Sequence, residues 1–286
     1  MRAAFLIFLF TLSACSAGPT VKPGPERQAE AEELFEGTEA CFLLYDLKAK
    51  SYEVTFNKKY CYERSAACST FKLPLAVMAA DAGLIKDKDT AFKWDGQEKG
   101  IDSWNEDQTA ESWIKNSTVW VSQELTRKLG RKKVQAYLKK FSYGNRDFSG
   151  DLDAAWLTPA PFLDHGKREP RTSMKISPIE QVDFLESLWR DELPVKASAG
   201  KLARELSYLR ETPNGFTLSG KTGSGFVGRD HDKRLGWFVA HVAGNGREYL
   251  AVTRFEDKEP ADKDADFGGK RAREITEKLL RSAGLW

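Results

Sequence analysis

Gly215-Phe216-Thr217-Leu218-Ser219-Gly220-Lys221-Thr222 admits two readings, and they lead to different folds. It matches the G-x-x-x-x-G-K-[ST] phosphate loop outright, and a phosphate loop needs a parallel βαβ unit with a helix opening at the Lys-Thr. The next residues are Gly223-Ser224-Gly225-Phe226-Val227-Gly228, a run of poor helix formers. Residues 216–222 therefore read as a strand. Segments 235–242 and 249–255 are also strand-like. Turns such as Gly244-Asn245-Gly246 separate them, and Asn214-Gly215 leads into the first.

The other end of the chain has the same character. Cys41-Phe42-Leu43-Leu44-Tyr45 reads as a buried strand. Lys48-Ala49-Lys50 reads as a turn, and Tyr52-Glu53-Val54-Thr55-Phe56 alternates like a return strand. Between these ends the periodicity is helical. Residues 72–82 form a helix closed by Gly83, with Pro74 tolerated in its first turn. Helices are expected at 119–129 and 132–141, separated by Gly130. Ser177-Pro178-Ile179-Glu180 is a capping box that opens another, and 199–209 and 271–280 complete the set. Strands at both termini with helices between predict an α+β fold. Its antiparallel sheet is built from N- and C-terminal strands flanked by helices, with an all-helical lobe inserted.

The 286 residues are 30% charged and 12% aromatic, with a formal net charge of +2, which suits a soluble globular chain. No basic run interleaves with aromatics, so nucleic acid is not an expected partner. Residues 1–14 read as an export signal: Met1-Arg2 is basic, and the apolar run after it is too short to span a bilayer. Residues 15–35 read as a polar tether, residues 36–68 and 210–286 as the sheet lobe, and residues 69–209 as the mainly helical lobe. Export implies an oxidising compartment. Four cysteines do not fix a pairing, but Cys41 and Cys61 flank the hairpin and are the preferred bridge. No Cys-x-x-Cys or His-x-x-x-His spacing occurs, so no metal site is expected.

One serine has a lysine at helical spacing and an apolar helix behind it: Ser69-Thr70-Phe71-Lys72. Residues i and i+3 share a helix face, so Lys72 can serve as the base that a serine nucleophile needs. Ser112-Trp113-Ile114-Lys115 and Ser198-Ala199-Gly200-Lys201 repeat the pattern, so the motif alone decides little. Only the copy at Ser69 is followed by Ser117-Thr118-Val119, Tyr143-Gly144-Asn145 and Lys221-Thr222-Gly223 at comparable intervals. A Ser-His-Asp hydrolase is disfavoured. There is no Gly-x-Ser-x-Gly elbow, and His165, His231 and His241 lie outside the serine motifs.

Together the four motifs resemble the penicillin-recognising serine enzymes, whose signature joins Ser-x-x-Lys to a second serine motif and Lys-Thr-Gly. Within that superfamily the chain resembles the class D (oxacillinase-type) β-lactamases, which carry Ser-x-Val and add Tyr-Gly-Asn. The resemblance implies hydrolysis of the β-lactam amide through an acyl-enzyme on Ser69. The backbone N–H groups of Ser69 and Ser224 would form the oxyanion hole, and Ser117 would relay a proton to the leaving nitrogen. Lys221 and Thr222 would hold the substrate carboxylate, with Gly223 and Ser224 on the same strand and Tyr143 and Asn145 also at the substrate. Arg271 and Lys270 are the candidates for the family's carboxylate-binding arginine, which has no clean match.

Lys72 would be N-carboxylated by carbon dioxide and act as general base, so no bound cofactor is expected. Val119 would keep its pocket dry, and Trp156 would bond to the carbamate. In the family this tryptophan stands shortly before a Lys-Ile-Ser-like segment. Here Lys175-Ile176-Ser177 comes only after an apparent insertion over 158–172. Leu12-Ser13-Ala14-Cys15 resembles the lipobox of bacterial lipoproteins, which implies a periplasmic or outer-surface protein tethered through acylated Cys15. The alternative is ordinary cleavage near Ala14 or Ala17. Two other family roles remain open. One is a penicillin-binding sensor domain that acylates without turnover, although sensors carry transmembrane helices and a signalling module not seen here. The other is a D,D-peptidase, which usually lacks Tyr-Gly-Asn beside Ser-x-Val. Oligomeric state is left open.

Overall fold

The computed structural model describes residues 24–159, 170–262 and 265–286. The signal and acylation readings at residues 1–15 lie outside the described residues, as does most of the inserted segment, residues 160–169.

Helix α1 (Gly24–Leu34) comes first, then the hairpin β1 (Thr38–Asp46) and β2 (Ser51–Phe56). The tether expected over residues 15–35 is thus corrected over its second half. Ala31 is fully buried in α1, and Phe35 just beyond it is 3% exposed and stacks on Phe56 at 5.2 Å. These apolar residues give an otherwise polar helix a side to dock, which outweighs the polar composition on which the tether reading rested.

One-turn α2 (Lys58–Cys61) ends at the Cys41–Cys61 disulfide, which ties it to β1, as preferred from the sequence. Short β3 (Ser65–Ala66) then leads into a 3-10 turn, Cys68–Phe71, and α3 (Lys72–Asp81). The helical lobe continues through β4 (Ala91–Phe92), β5 (Gln108–Thr109), α4 (Ala110–Lys115), α5 (Val119–Leu129) and α6 (Arg131–Lys140). It ends with β6 (Lys175–Ile176), α7 (Pro178–Trp189) and α8 (Ala197–Leu206). Two small ladders, β3–β6 and β4–β5, lie among these helices.

The chain then returns to the sheet as β7 (Tyr208–Glu211), β8 (Thr217–Val227), β9 (Lys233–Gly244) and β10 (Arg247–Asp257), and closes with α9 (Gly268–Ser282). The order β2-β1-β10-β9-β8-β7 is antiparallel throughout. The first hairpin therefore pairs with the last strand, as expected from strands at both ends. The Lys-Thr of the phosphate-loop reading lies mid-strand in β8 and opens no helix, so that alternative is excluded.

Side chains alternate across a strand, so a central strand covered on both faces reads as a continuous apolar run. In β1, Cys41, Leu43 and Tyr45 enter the core shared with the helical lobe. Ala40, Phe42 and Leu44 face the opposite core, which α1 and α9 cover. β9 divides its residues the same way, with Leu235, Trp237 and Val239 on one side and Phe238, Ala240 and Val242 on the other.

Candidate active site

Ser69 sits in the 3-10 turn and Lys72 opens α3, so the spacing read from sequence becomes one turn of backbone. Lys72 Nζ lies 3.2 Å from Ser69 Oγ, and the lysine side chain is fully buried. Burial is the largest cause holding the Lys72 amine well below its usual value, and the nearby charge of Lys221 adds to it. A buried ammonium without a carboxylate partner is costly, so the neutral amine is favoured.

The nucleophile turn is braced from several sides. Trp237 Nε1 donates to Ala66 O at 3.0 Å, and Cys68 N donates to Trp156 O at 2.9 Å. Gln181 Nε2 donates to Thr70 Oγ1 at 2.9 Å. Burial pushes the Cys68 thiol up to about 12, so it stays protonated beside Ser69. Neither competing serine has such a setting. Ser112 closes the capping box of α4, its Oγ accepting from Thr109 N at 2.8 Å. Ser198 lies in the first turn of α8 and is exposed.

Ser117 lies between α4 and α5 with φ +56°, an uncommon conformation for a non-glycine residue that costs on the order of 1–3 kcal/mol. Its neighbours hold it there. Trp104 Nε1 donates to Asn116 O at 2.9 Å, and Thr118 Oγ1 donates to Gln108 Oε1 at 3.0 Å. Ser69, Ser117, Val119, Thr222 and Ser224 line one cavity of about 360 Å³. Ile101, Trp104, Leu157 and Phe267 supply apolar wall, while Lys270 and Arg273 of α9 supply cations. Lys221 lies beneath, 4% exposed, with Nζ 3.2 Å from Thr222 Oγ1. Burial first and the Arg273 charge second lower the Lys221 amine to about 7.

Beyond Gly220, β8 pairs only with β9 and turns its other edge toward the nucleophile. Phe226 N–H on that edge donates to Thr158 Oγ1 at 2.9 Å. Strand alternation sends the N–H of Ser224, two residues earlier, to the same edge. Gly223 does not line the cavity. A Cβ there would stand 3.1 Å from Ala67 O and 3.1 Å from Thr70 Cγ2, so its expected substrate contact is corrected to close packing of β8 on the nucleophile turn.

Tyr143 and Asn145 are corrected as well, since neither lines the cavity. Tyr143 is fully buried, edge-on to Phe184 at 5.1 Å. Asn145 Nδ2 donates to Ser173 O at 2.7 Å, and its Oδ1 accepts from Lys175 N at 3.1 Å. A Cβ on Gly144 would stand 2.1 Å from Lys175 O, so the motif needs glycine to clamp residues 173–175. Those residues lead into β6, which pairs with β3 just ahead of Ser69. Arg271 also misses. Its Nη1 donates to Asp257 Oδ1 at 3.3 Å, and its guanidinium stacks over Phe255.

Trp156 is fully buried despite the insertion after it. Its ring stacks on Phe71 at 5.1 Å and on Phe148 at 6.1 Å. Its indole Nε1–H has no hydrogen-bond partner among the described residues. A buried donor left unpaired costs about 1–3 kcal/mol, so this one asks for an acceptor. A neutral buried amine and an unpaired buried donor on the residue stacked against Phe71, which precedes Lys72, fit an anionic group on Lys72 Nζ.

Residues 35–281 match the penicillin binding protein transpeptidase domain. The chain is 43% identical over 230 residues to β-lactamase OXA-1 of Escherichia coli, covering 78% of each. It is 31% identical over 245 residues to the regulatory protein BlaR1 of Bacillus licheniformis, 86% of this chain but 37% of that one. The solved class D β-lactamase from Bacillus subtilis superposes with a TM-score of 0.76 at 31% identity, covering 89% of this chain and 95% of that one. The chain belongs to the class D serine β-lactamases of the penicillin-recognising serine enzymes.

Proposed function

We propose that this chain hydrolyses the β-lactam amide of penicillin-type antibiotics through Ser69, with Lys72 in its N-carboxylated form as general base. The observation that carries the base assignment is the buried amine 3.2 Å from Ser69 Oγ. Carbon dioxide attached to Lys72 would supply a carboxylate base; Val119 would limit water there, and the Trp156 indole N–H would hold the anion.

The remaining steps belong to the chain's own residues. Ser69 Oγ attacks the lactam carbonyl carbon and gives up its proton towards Lys72. The developing oxyanion takes the N–H groups of Ser69 and Ser224, and each such donor contributes roughly 3–4 kcal/mol. The C–N bond breaks as Ser117 passes a proton to the leaving nitrogen, and Lys221 would replenish it. Water then attacks the ester, its proton moves towards Lys72, and Ser69 recovers its own. Thr222 and Ser224 face the substrate from β8.

Nitrocefin hydrolysis with and without added bicarbonate tests this reading. The expected result is turnover that rises with bicarbonate. One-to-one acylation without turnover would instead assign the sensor role, and no acylation would rule out both.

The same reading places the chain outside the cytoplasm, consistent with its disulfide. Cys15 then carries a lipid that tethers it to a membrane. Palmitate labelling is expected for the wild type and lost in Cys15→Ala; undiminished labelling of the variant would end the lipoprotein assignment.

A further inference from the structure

Strand alternation decides which amides of β8 meet the cavity. Gly220 N–H donates to Ser207 O at 2.7 Å, and Phe226 N–H donates to Thr158 Oγ1 at 2.9 Å. Both point to the edge away from β9, so Thr222 and Ser224 between them present their N–H and C=O groups on that same edge. The Thr222 carbonyl already accepts from Lys221 Nζ at 3.2 Å. At about 3.4 Å per residue, the two closures stand about 20 Å apart and leave a short window beside Ser69. An open strand edge is a template for an extended peptide, and here its length is limited at both ends.

The closure at Phe226 is built into the packing. Cys68 N–H donates to Trp156 O at 2.9 Å, Thr172 Oγ1 donates to Leu157 O, and Thr158 Oγ1 accepts from Phe226 N–H. Three consecutive residues are thus fastened, the first to the nucleophile turn, the second to Thr172 and the third to β8. Gly225 makes room for the third. A Cβ there would stand 2.5 Å from Thr158 Oγ1 and 2.7 Å from Cys68 Sγ. Thr158 lines the same cavity as Ser69 and Ser224 and stands where its β8 edge ends.

We propose that Thr158 sets how far a substrate can extend along β8. The chain then accepts β-lactams that carry a single acylamide and turns away acyl donors that continue as an extended peptide. The inference rests on the β-lactam reading above and deepens it by naming a specificity-determining residue. With the lactam oxygen at Ser224 N–H and the carboxylate towards Thr222, the acylamino side chain leaves towards Phe226. The reacting unit stands opposite Ser224 as one strand residue would, and the residue two steps back along the donor faces Phe226. Thr158 holds that N–H, so a longer donor either leaves its own carbonyl unpaired or displaces a fastened segment.

The test compares benzylpenicillin with ampicillin acylated on its side-chain amine by acetylglycine. The first ends before Phe226, and the second carries a carbonyl that reaches it. The readout is the rate of covalent acylation of Ser69 by intact mass, which holds whether or not turnover occurs. The wild type is expected to react about tenfold or more faster with the short donor, the size of one unmade buried hydrogen bond. Thr158→Ala frees the Phe226 N–H and should narrow that ratio by about fivefold or more. Thr158→Ser keeps the hydroxyl and should retain the wild-type ratio. A change in folding alters both rates alike, so the ratio reads specificity alone. If the wild type takes both donors equally, or if Thr158→Ala leaves the ratio unchanged, this proposal alone falls. If neither compound acylates Ser69 in the wild type, the parent reading falls and takes this one with it.

Discussion

Lys72→Ala is expected to reduce kcat for nitrocefin by about a thousandfold or more, the upper part of the range for a general base. The cause is geometric. Lys72 is the group placed 3.2 Å from Ser69 Oγ; within the same cavity Ser117 is a hydroxyl, and Lys270 is paired with Asp266. Deacylation should suffer at least as much as acylation, since attack by water needs a base as Ser69 does. Any acyl-enzyme that forms should therefore accumulate, visible as a stable mass increment on the protein after exposure to benzylpenicillin. Steady-state kinetics and intact mass together check this. Activity within tenfold of wild type would show that Lys72 is not the base, whatever its burial. Lys72→Arg gives no rescue on this account, because a guanidinium stays protonated and cannot accept a proton.

How much the sequence could disclose depends on which interactions are local. The hairpin strands and β8 to β10 alternate or run apolar over short segments between turn residues, so their existence was legible. The pairing of β1 with β10 was legible from strands lying at both ends. The Ser69–Lys72 contact was legible because a single turn of backbone creates it. The Tyr143-Gly144-Asn145 motif was located but misread. Its function is to clamp a loop some 30 residues away, and nothing in the local pattern says which way Asn145 faces. Gly223 was misread for a similar reason, since its partner Ala67 comes from a distant part of the chain.

Naming Arg271 beside Lys270 was different, because helical spacing already separates the two. Residues 270, 273 and 277 lie at i, i+3 and i+7 and share one face of α9. Ala272, Ile275 and Leu279 share the buried face. Arg271 is rotated off the face of Lys270, and the buried carboxylate of Asp257 takes it. A wheel drawn on the apolar positions would have put Arg273, with Lys270, on one side. It could not have shown that this side meets the cavity, because that depends on Gly268 and Gly269 packing against β8 and β9.

Trp156→Phe keeps a six-membered ring to stack on Phe71 and Phe148 and removes the indole N–H together with the five-membered ring that carries it. With carbamylated Lys72, the donor stabilises an anion. Its loss should lower kcat at ambient carbon dioxide by about 10- to 100-fold, the usual consequence of removing such a support. Added bicarbonate should restore part of the activity by mass action. The sign of the pH effect comes from Lys72. Its amine is held well below the usual lysine value by burial, so the neutral form that takes up carbon dioxide persists to lower pH than in an ordinary lysine, until protonation removes it. Activity is therefore lost on the acid side. In Trp156→Phe the anion is less favoured, so this acid limb should move to higher pH, and the bicarbonate needed at any given pH should rise. A readout independent of turnover is the carbamate carbon resonance after equilibration with 13C-bicarbonate, expected in the wild type and weakened in the variant. The opposite pattern is equally definite. If the tryptophan were only an apolar plug with an unpaired donor, Trp156→Phe would change stability alone, through the buried volume it removes and the unsatisfied N–H it deletes. Bicarbonate dependence and the carbamate resonance would then be unchanged, and the support assigned to Trp156 would be wrong.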